Sequence, residues 1–244
     1  MKVVIVSPPK SGANRLRCLL AAAYGFRVLD ARDAPVSAEP PELAHWLTSL
    51  PDHSVTHTSL PFDEALPARA AELSVPLIAI IRHPFDLFVS NQAVRSNRKQ
   101  RKSLRARNRD SSLQEPDFNR EDEPRDPVVE LAGDVQALLD WSDSAMVTLR
   151  YEDILERPDA VLSKVSKVIG ELNDIQIAHA VKLCPAEQRI VSSSNRGARM
   201  AEIAPGTWRD AIDPSTLTQL QSSFELSVVS LGYESTLANT PRKS

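Results

Sequence analysis

Lys2-Val3-Val4-Ile5-Val6, running into Ser7-Pro8-Pro9-Lys10-Ser11-Gly12-Ala13-Asn14, is the stretch on which the reading of this chain turns. Five residues without a turn former, closed by two prolines, fit a fully buried parallel strand. Leu16, Leu19, Leu20 and Ala23 then recur at helical spacing. The loop between them has one glycine for close backbone approach and one lysine for charge. It delivers free backbone N–H groups at a helix N-terminus, which attracts an anion. The Walker pattern GxxxxGK[ST] is absent, because Lys10 precedes Gly12 and no GK[ST] occurs. An ordinary ATP-binding loop is therefore disfavoured. A plain strand-loop-helix with a solvated Lys10 remains open at this point.

Working outward, Gly25 stops the first helix and Phe26 to Leu29 reads as a short second strand. Ser54-Val55-Thr56-His57 is a third strand, ending in a histidine. Val75 to Ile81 is a fourth and runs into Arg82-His83-Pro84, where proline opens a helix. Ala145 to Leu149 is a fifth and ends at Arg150-Tyr151-Glu152-Asp153. Helical patterns fall at 42–50, 62–73, 127–139, 158–169 and 174–183, with a closing helix after Asp213-Pro214. Strands alternating with helices imply an α/β fold of three layers: a central parallel sheet of about five strands with helices on both faces. Ligands of such sheets bind beyond the strands' carboxyl ends. Lys10, His57, Arg82 and Tyr151 each follow or end a strand, so one rule places all four along the same edge.

The 244 residues are expected to form a single domain, 1–244. Net charge is −3, so nothing global points to nucleic acid or a membrane, and no apolar run reaches membrane-spanning length. The N-terminal apolar segment is too short for a signal peptide. Cys18 and Cys184 make neither a disulfide framework nor a metal cluster, so a reducing cytoplasm is the simplest expectation. Oligomeric state is not legible.

Four segments in order give the chain its resemblance: it resembles the sulfotransferases that use 3′-phosphoadenosine 5′-phosphosulfate (PAPS) as donor. Pro9-Lys10-Ser11-Gly12 resembles that family's loop for the 5′-phosphosulfate, with Ala13, Asn14 and Arg15 continuing it. Thr56-His57 followed by Leu60-Pro61 resembles its threonine-histidine motif, whose histidine is the catalytic base. Arg82-His83-Pro84-Phe85-Asp86 with Ser90 resembles the element that holds the 3′-phosphate. Tyr151-Glu152-Asp153 resembles a segment whose tyrosine lies near adenine. The resemblance implies a P-loop-NTPase-like fold and in-line sulfuryl transfer to a hydroxyl or amine. His57 would be the base, Lys10 would act at the leaving oxygen, PAP would be the product, and no metal is required. The acceptor would be a small molecule, sugar or natural-product scaffold.

The chain departs from the family's pattern at three points. Ala13-Asn14-Arg15 replaces the usual Thr-Thr-Trp, so Arg15 is the candidate to stack on adenine. Val55 replaces a lysine. The C-terminal glycine-rich element is stretched, with Arg196-Gly197 twelve residues before Trp208 and Arg199 as an alternative. Two other readings stay open. A small-molecule or nucleotide kinase would also put a strand-loop-helix under phosphates, and a non-catalytic homologue would keep the nucleotide fold without turnover.

Between Arg95 and Asp126 the apolar pattern collapses. Arg95, Arg98, Lys99, Arg101, Lys102, Arg105, Arg107 and Arg109 come without one acid among them, and acids follow from Asp110 onward. The stretch reads as a mobile charged insertion. It is either a solvated helix extension and loop, whose two halves partly neutralise each other, or a lid that gains order with ligand and whose cations favour an anionic acceptor.

Overall fold

The computed structural model of the chain describes residues 1–30, 40–108, 126–185 and 203–237. Five parallel strands, β1 (Lys2–Val6), β2 (Arg27–Val28), β3 (Ser54–Thr58), β4 (Leu77–Ile81) and β5 (Val147–Arg150), make one sheet in the order β2-β3-β1-β4-β5. The chain order reverses on either side of β1. A crevice therefore opens beyond its carboxyl end, where the loop 7–12 lies.

Helices cover both faces. On one, α1 (Ala13–Tyr24) packs with α6 (Tyr151–Glu156), α7 (Pro158–Ile169) and α8 (Asp174–Leu183) over Val3, Ile5, Val55, Ile78 and Ile80. On the other, α2 (Pro40–Ser49) and α3 (Ala65–Glu72) cover Val4, Val6, Leu77 and Ala79. The alternation along β1 and β4 divides their side chains between two cores, as a sheet covered on both sides requires. A third cluster joins α4 (Pro84–Asn108), α5 (Pro127–Ser144), α9 (Trp208–Ala211) and α10 (Pro214–Ser230) around Phe85, Trp208 and Phe224. Asp126 caps α5 by accepting from the Val128 amide, and Asp213 caps α10 by accepting from the Ser215 and Thr216 amides, each with proline as the first helical residue.

One expectation is corrected. Cys18 of α1 and Cys184, the residue closing α8, are joined by a disulfide across a Cα–Cα distance of 6.1 Å. Helix packing brings together two cysteines 166 positions apart, which spacing alone does not reveal. The inference of a reducing cytoplasm from unpaired cysteines thereby loses its basis. In the charged tract the basic half, to Asn108, continues α4 as helix. After Pro84 this stretch has no glycine or proline and is rich in Arg, Lys and Gln, which are strong helix formers. Arg95 there forms an ion pair with Glu130 of α5. The acidic half, 109–125, lies outside the described residues, as do Arg196, Gly197 and Arg199. No described helix is long and apolar enough to cross a membrane.

Candidate active site

The loop after β1 holds two left-handed residues, Lys10 at φ 72 and Gly12 at φ 96. A lysine in that region is strained, and such strain is kept where the surroundings hold it in place. Gly12 caps α1 with no side-chain bond to the first-turn amides. Backbone alternating through left-handed conformations turns its N–H groups into one concavity, which suits an anion. The Ser11 hydroxyl is buried there and makes no hydrogen bond. Ala13 and Arg15 are buried in the first turn, and Asn14 is exposed beside them.

Arg82, at the end of β4, is the other pole of the site. Only 2 % exposed, it donates through Nη1 to the Lys10 carbonyl at 2.7 Å and through Nη2 to the Ile203 carbonyl at 2.7 Å. Its guanidinium lies 4.2 Å from the centroid of the Tyr151 ring, and Tyr151 in turn packs on Gly12. The guanidinium Nε is buried without a partner. The structure thus brings Lys10, Ser11, Gly12, Arg82 and Tyr151 together. Ser90, two turns into α4, is buried but makes no hydrogen bond to any of them.

Asp86 sets how the C-terminal part reaches this centre. Its carboxylate accepts from the amides of Gly206 at 2.7 Å and Trp208 at 3.0 Å, and so holds the turn that carries Ile203 to Arg82. Burial pushes its pKa up, and those two amides pull against the rise. Glu152 acts similarly, accepting from the His83 amide at 3.1 Å and the Tyr233 hydroxyl at 2.9 Å. His83 itself stacks on Trp208, consistent with a satisfied core residue.

His57 ends up on the opposite side of the loop from Arg82. Its Nε2 lies 3.1 Å from the Ser7 hydroxyl and 3.3 Å from the Ser7 carbonyl oxygen. Burial, with Arg17 second, lowers its pKa to about 4, while the Ser7 carbonyl opposes the drop. The imidazole is accordingly neutral near pH 7 and can accept a proton.

Ser7 and Arg17 are absent from the sequence-derived candidates. Arg17 sits on the second turn of α1, 8 % exposed, donating to the Leu29 carbonyl at 2.7 Å and to the Asn14 side chain. Its pKa is lowered by burial, against Asp30. The available signal was a charge on a helix face otherwise occupied by Leu16, Leu19 and Leu20. Among the described residues no group of three or more His, Cys, Asp or Glu could hold a metal.

Comparison with known proteins gives this arrangement its context. No curated protein sequence matches the chain. Among solved structures, mouse sulfotransferase SULT7A1 complexed with PAP superposes with a TM-score of 0.59 at 16 % identity, covering 93 % of this chain and 84 % of that one. Retinol dehydratase in complex with androsterone and inactive cofactor PAP gives 0.54 at 14 % identity, covering 100 % and 82 %. An Arabidopsis thaliana putative steroid sulphotransferase gives 0.50 at 16 %, covering 96 % and 78 %. These likenesses establish the shared fold. The family model of the sulfotransferase domain matches residues 1–236, nearly the whole chain, and the chain therefore belongs to the sulfotransferase family.

Proposed function

We propose that this single-domain enzyme transfers the sulfuryl group of PAPS to a hydroxyl or amine of a small-molecule acceptor and releases PAP. The observation that carries the reading is the placement of three chemistries along one sheet edge. The anion-binding loop lies in the middle, Arg82 is bound to it through the Lys10 carbonyl, and His57 is bound to it through Ser7. That order separates a receptor for the donor's nucleotide end from a base for the acceptor, with the sulfuryl group between them.

In this reading Lys10, Ser11, Gly12, Ala13 and Asn14 receive the 5′-phosphosulfate, and the unpartnered Ser11 hydroxyl fits an anionic oxygen. Lys10 stabilises charge developing on the leaving oxygen. Arg82 and Ser90 receive the 3′-phosphate. Two carbonyls engage one N–H on each Nη of Arg82, so the partnerless Nε–H and the second N–H of each Nη remain to donate charge-assisted bonds to the phosphate. Tyr151 and Arg15 border the adenine, and Arg196-Gly197 adds to the 3′-phosphate receptor. His57 takes the acceptor's proton as the new bond to sulfur forms in line with the departing phosphate. The cations of the tract after Arg95 favour an anionic acceptor.

Incubation with PAPS and an acceptor library, read by mass spectrometry for added sulfate, tests the reading. His57→Ala is expected to lower turnover roughly 10²- to 10⁴-fold with little change in affinity for 3′,5′-adenosine bisphosphate. Stabilisation by ADP with Mg²⁺ but not by 3′,5′-adenosine bisphosphate would instead support the kinase alternative.

A further inference from the structure

We infer that the nitrogen of His57 that accepts the proton is Nδ1, and that Ser7 is the positioning residue that assigns it. The inference rests on the reading of His57 as the general base. Ser7 is 2 % exposed, at the point where β1 gives way to the loop, and its amide donates to the Thr58 carbonyl at 3.3 Å. Loop and β3 are thus tied together on both sides of the ring.

The argument turns on which groups can donate. The Ser7 carbonyl oxygen, 3.3 Å from Nε2 and in line for a ring N–H, can only accept. A lone pair on Nε2 would face that oxygen and repel it. A proton on Nε2 instead satisfies the carbonyl, and the Ser7 hydroxyl at 3.1 Å then accepts a share of the same N–H. Neutral imidazole has one proton to place, so with Nε2 protonated the lone pair is on Nδ1. Among the described residues Nδ1 makes no hydrogen bond, which leaves it available to an acceptor.

The same contact serves the reaction step. As the acceptor's O–H or N–H gives its proton to Nδ1, the acceptor atom bonds to sulfur. The sulfur–oxygen bond to the phosphate breaks, and its electron pair leaves with the phosphate oxygen. The ring becomes an imidazolium whose Nε2–H already points at the Ser7 carbonyl, which stabilises the cation. Arg17, facing the ring from α1, opposes it and favours early return of the proton.

Two measurements on the full chain test this, each with and without 3′,5′-adenosine bisphosphate. In ¹⁵N-histidine-labelled protein at pH 7, with the His57 ring signals assigned by their loss in His57→Gln, Nε2 is expected to carry the proton. That pattern should persist in Ser7→Ala, which keeps the carbonyl, with turnover reduced only a few-fold and restored by Ser7→Thr. A ring protonated at Nδ1 would overturn the proposal. In the second measurement, Nδ1-methylhistidine installed at position 57 is expected to lose as much turnover as His57→Ala, and retained turnover would place the base at Nε2. If His57→Ala itself kept wild-type turnover, the assignment of His57 as base would fail, while the ring spectrum would still report which nitrogen Ser7 protonates.

Discussion

The ring of Tyr151 lies directly against Gly12: a Cβ built on Gly12 would be 2.3 Å from Cδ2 and 2.8 Å from Cε2 of that ring. Tyr151 is fully buried and cannot retreat, because the Arg82 guanidinium packs on its face. A side chain at position 12 would therefore meet a fixed ring, on backbone whose φ of 96 already disfavours it.

Gly12→Ala is accordingly expected to distort the loop rather than be absorbed. Left-handed strain alone costs on the order of 1–3 kcal/mol, and the overlap adds to it. Affinity for 3′,5′-adenosine bisphosphate, measured by calorimetry, should fall at least tenfold and the melting temperature should drop. Wild-type affinity would show that the loop's conformation does not depend on this packing.

Asp86 gives a second prediction, because one buried carboxylate holds two backbone amides of the turn 206–208. Asn at this position keeps one acceptor oxygen and brings an N–H₂ group against the other amide. Losing a charge-assisted bond and leaving an amide unsatisfied costs about 2–4 kcal/mol. Asp86→Asn should loosen the segment that puts the Ile203 carbonyl on Arg82, and hydrogen exchange at Gly206 and Trp208 would report it. Protection equal to wild type would mean that the turn is held by the Trp208 packing alone.

Much of this was legible in the sequence, and the failures have physical causes. Strands β1, β4 and β5 could be read from short apolar runs closed by Pro or Arg, and β3 from the β-branched pair Val55-Thr56. With the parallel-sheet rule, that suffices to gather Lys10, His57, Arg82 and Tyr151 on one edge. Ser7 could not be read: a serine ahead of two prolines looks like loop punctuation, and its role comes from the register that sets Ile5 beside His57. Arg17 and the Cys18–Cys184 bond were hidden for the same reason, since both depend on how α1 packs on β3 and α8. The basic tract has no apolar face, yet it continues α4 to Asn108, because Arg, Lys and Gln sustain a helix by propensity.

The buried histidines predict acid sensitivity. The pKa values of His57 and His83 are both lowered from 6.5 to about 4, by burial first, then by Arg17 for His57 and Arg209 for His83. Above pH 7 both are neutral folded or unfolded and contribute nothing to the pH dependence. Between 6.5 and about 4 the unfolded chain binds protons that the native one refuses, so stability is lost as pH falls. The gap corresponds to roughly 3 kcal/mol per histidine when fully developed. Asp86 and Glu152, whose pKa values are raised by burial, act in the opposite sense, so the test is a difference. Melting temperature against pH should fall less steeply through this window in His57→Gln than in wild type, and parallel curves would refute the assignment.

The last prediction concerns the Cys18–Cys184 bond, which ties the helix capped by Gly12 to the end of α8. A cross-link closing 166 residues removes much of the freedom of the unfolded chain, for which the loop-closure account gives about 3–5 kcal/mol. For a domain of this size that corresponds to roughly 10 °C in melting temperature. The folded state does not depend on the bond in the same way, because Leu16, Leu19 and Leu20 of α1 and Ile177 and Ala180 of α8 share one core. Reductant, or Cys18→Ser, should therefore lower the melting temperature by that order while leaving affinity for 3′,5′-adenosine bisphosphate at 25 °C nearly unchanged. Mass spectrometry of the alkylated, unreduced protein would establish that the bond is present before the comparison. An unchanged melting temperature on reduction of a demonstrated bond would show that the unfolded chain is already restrained where Cys18 and Cys184 meet.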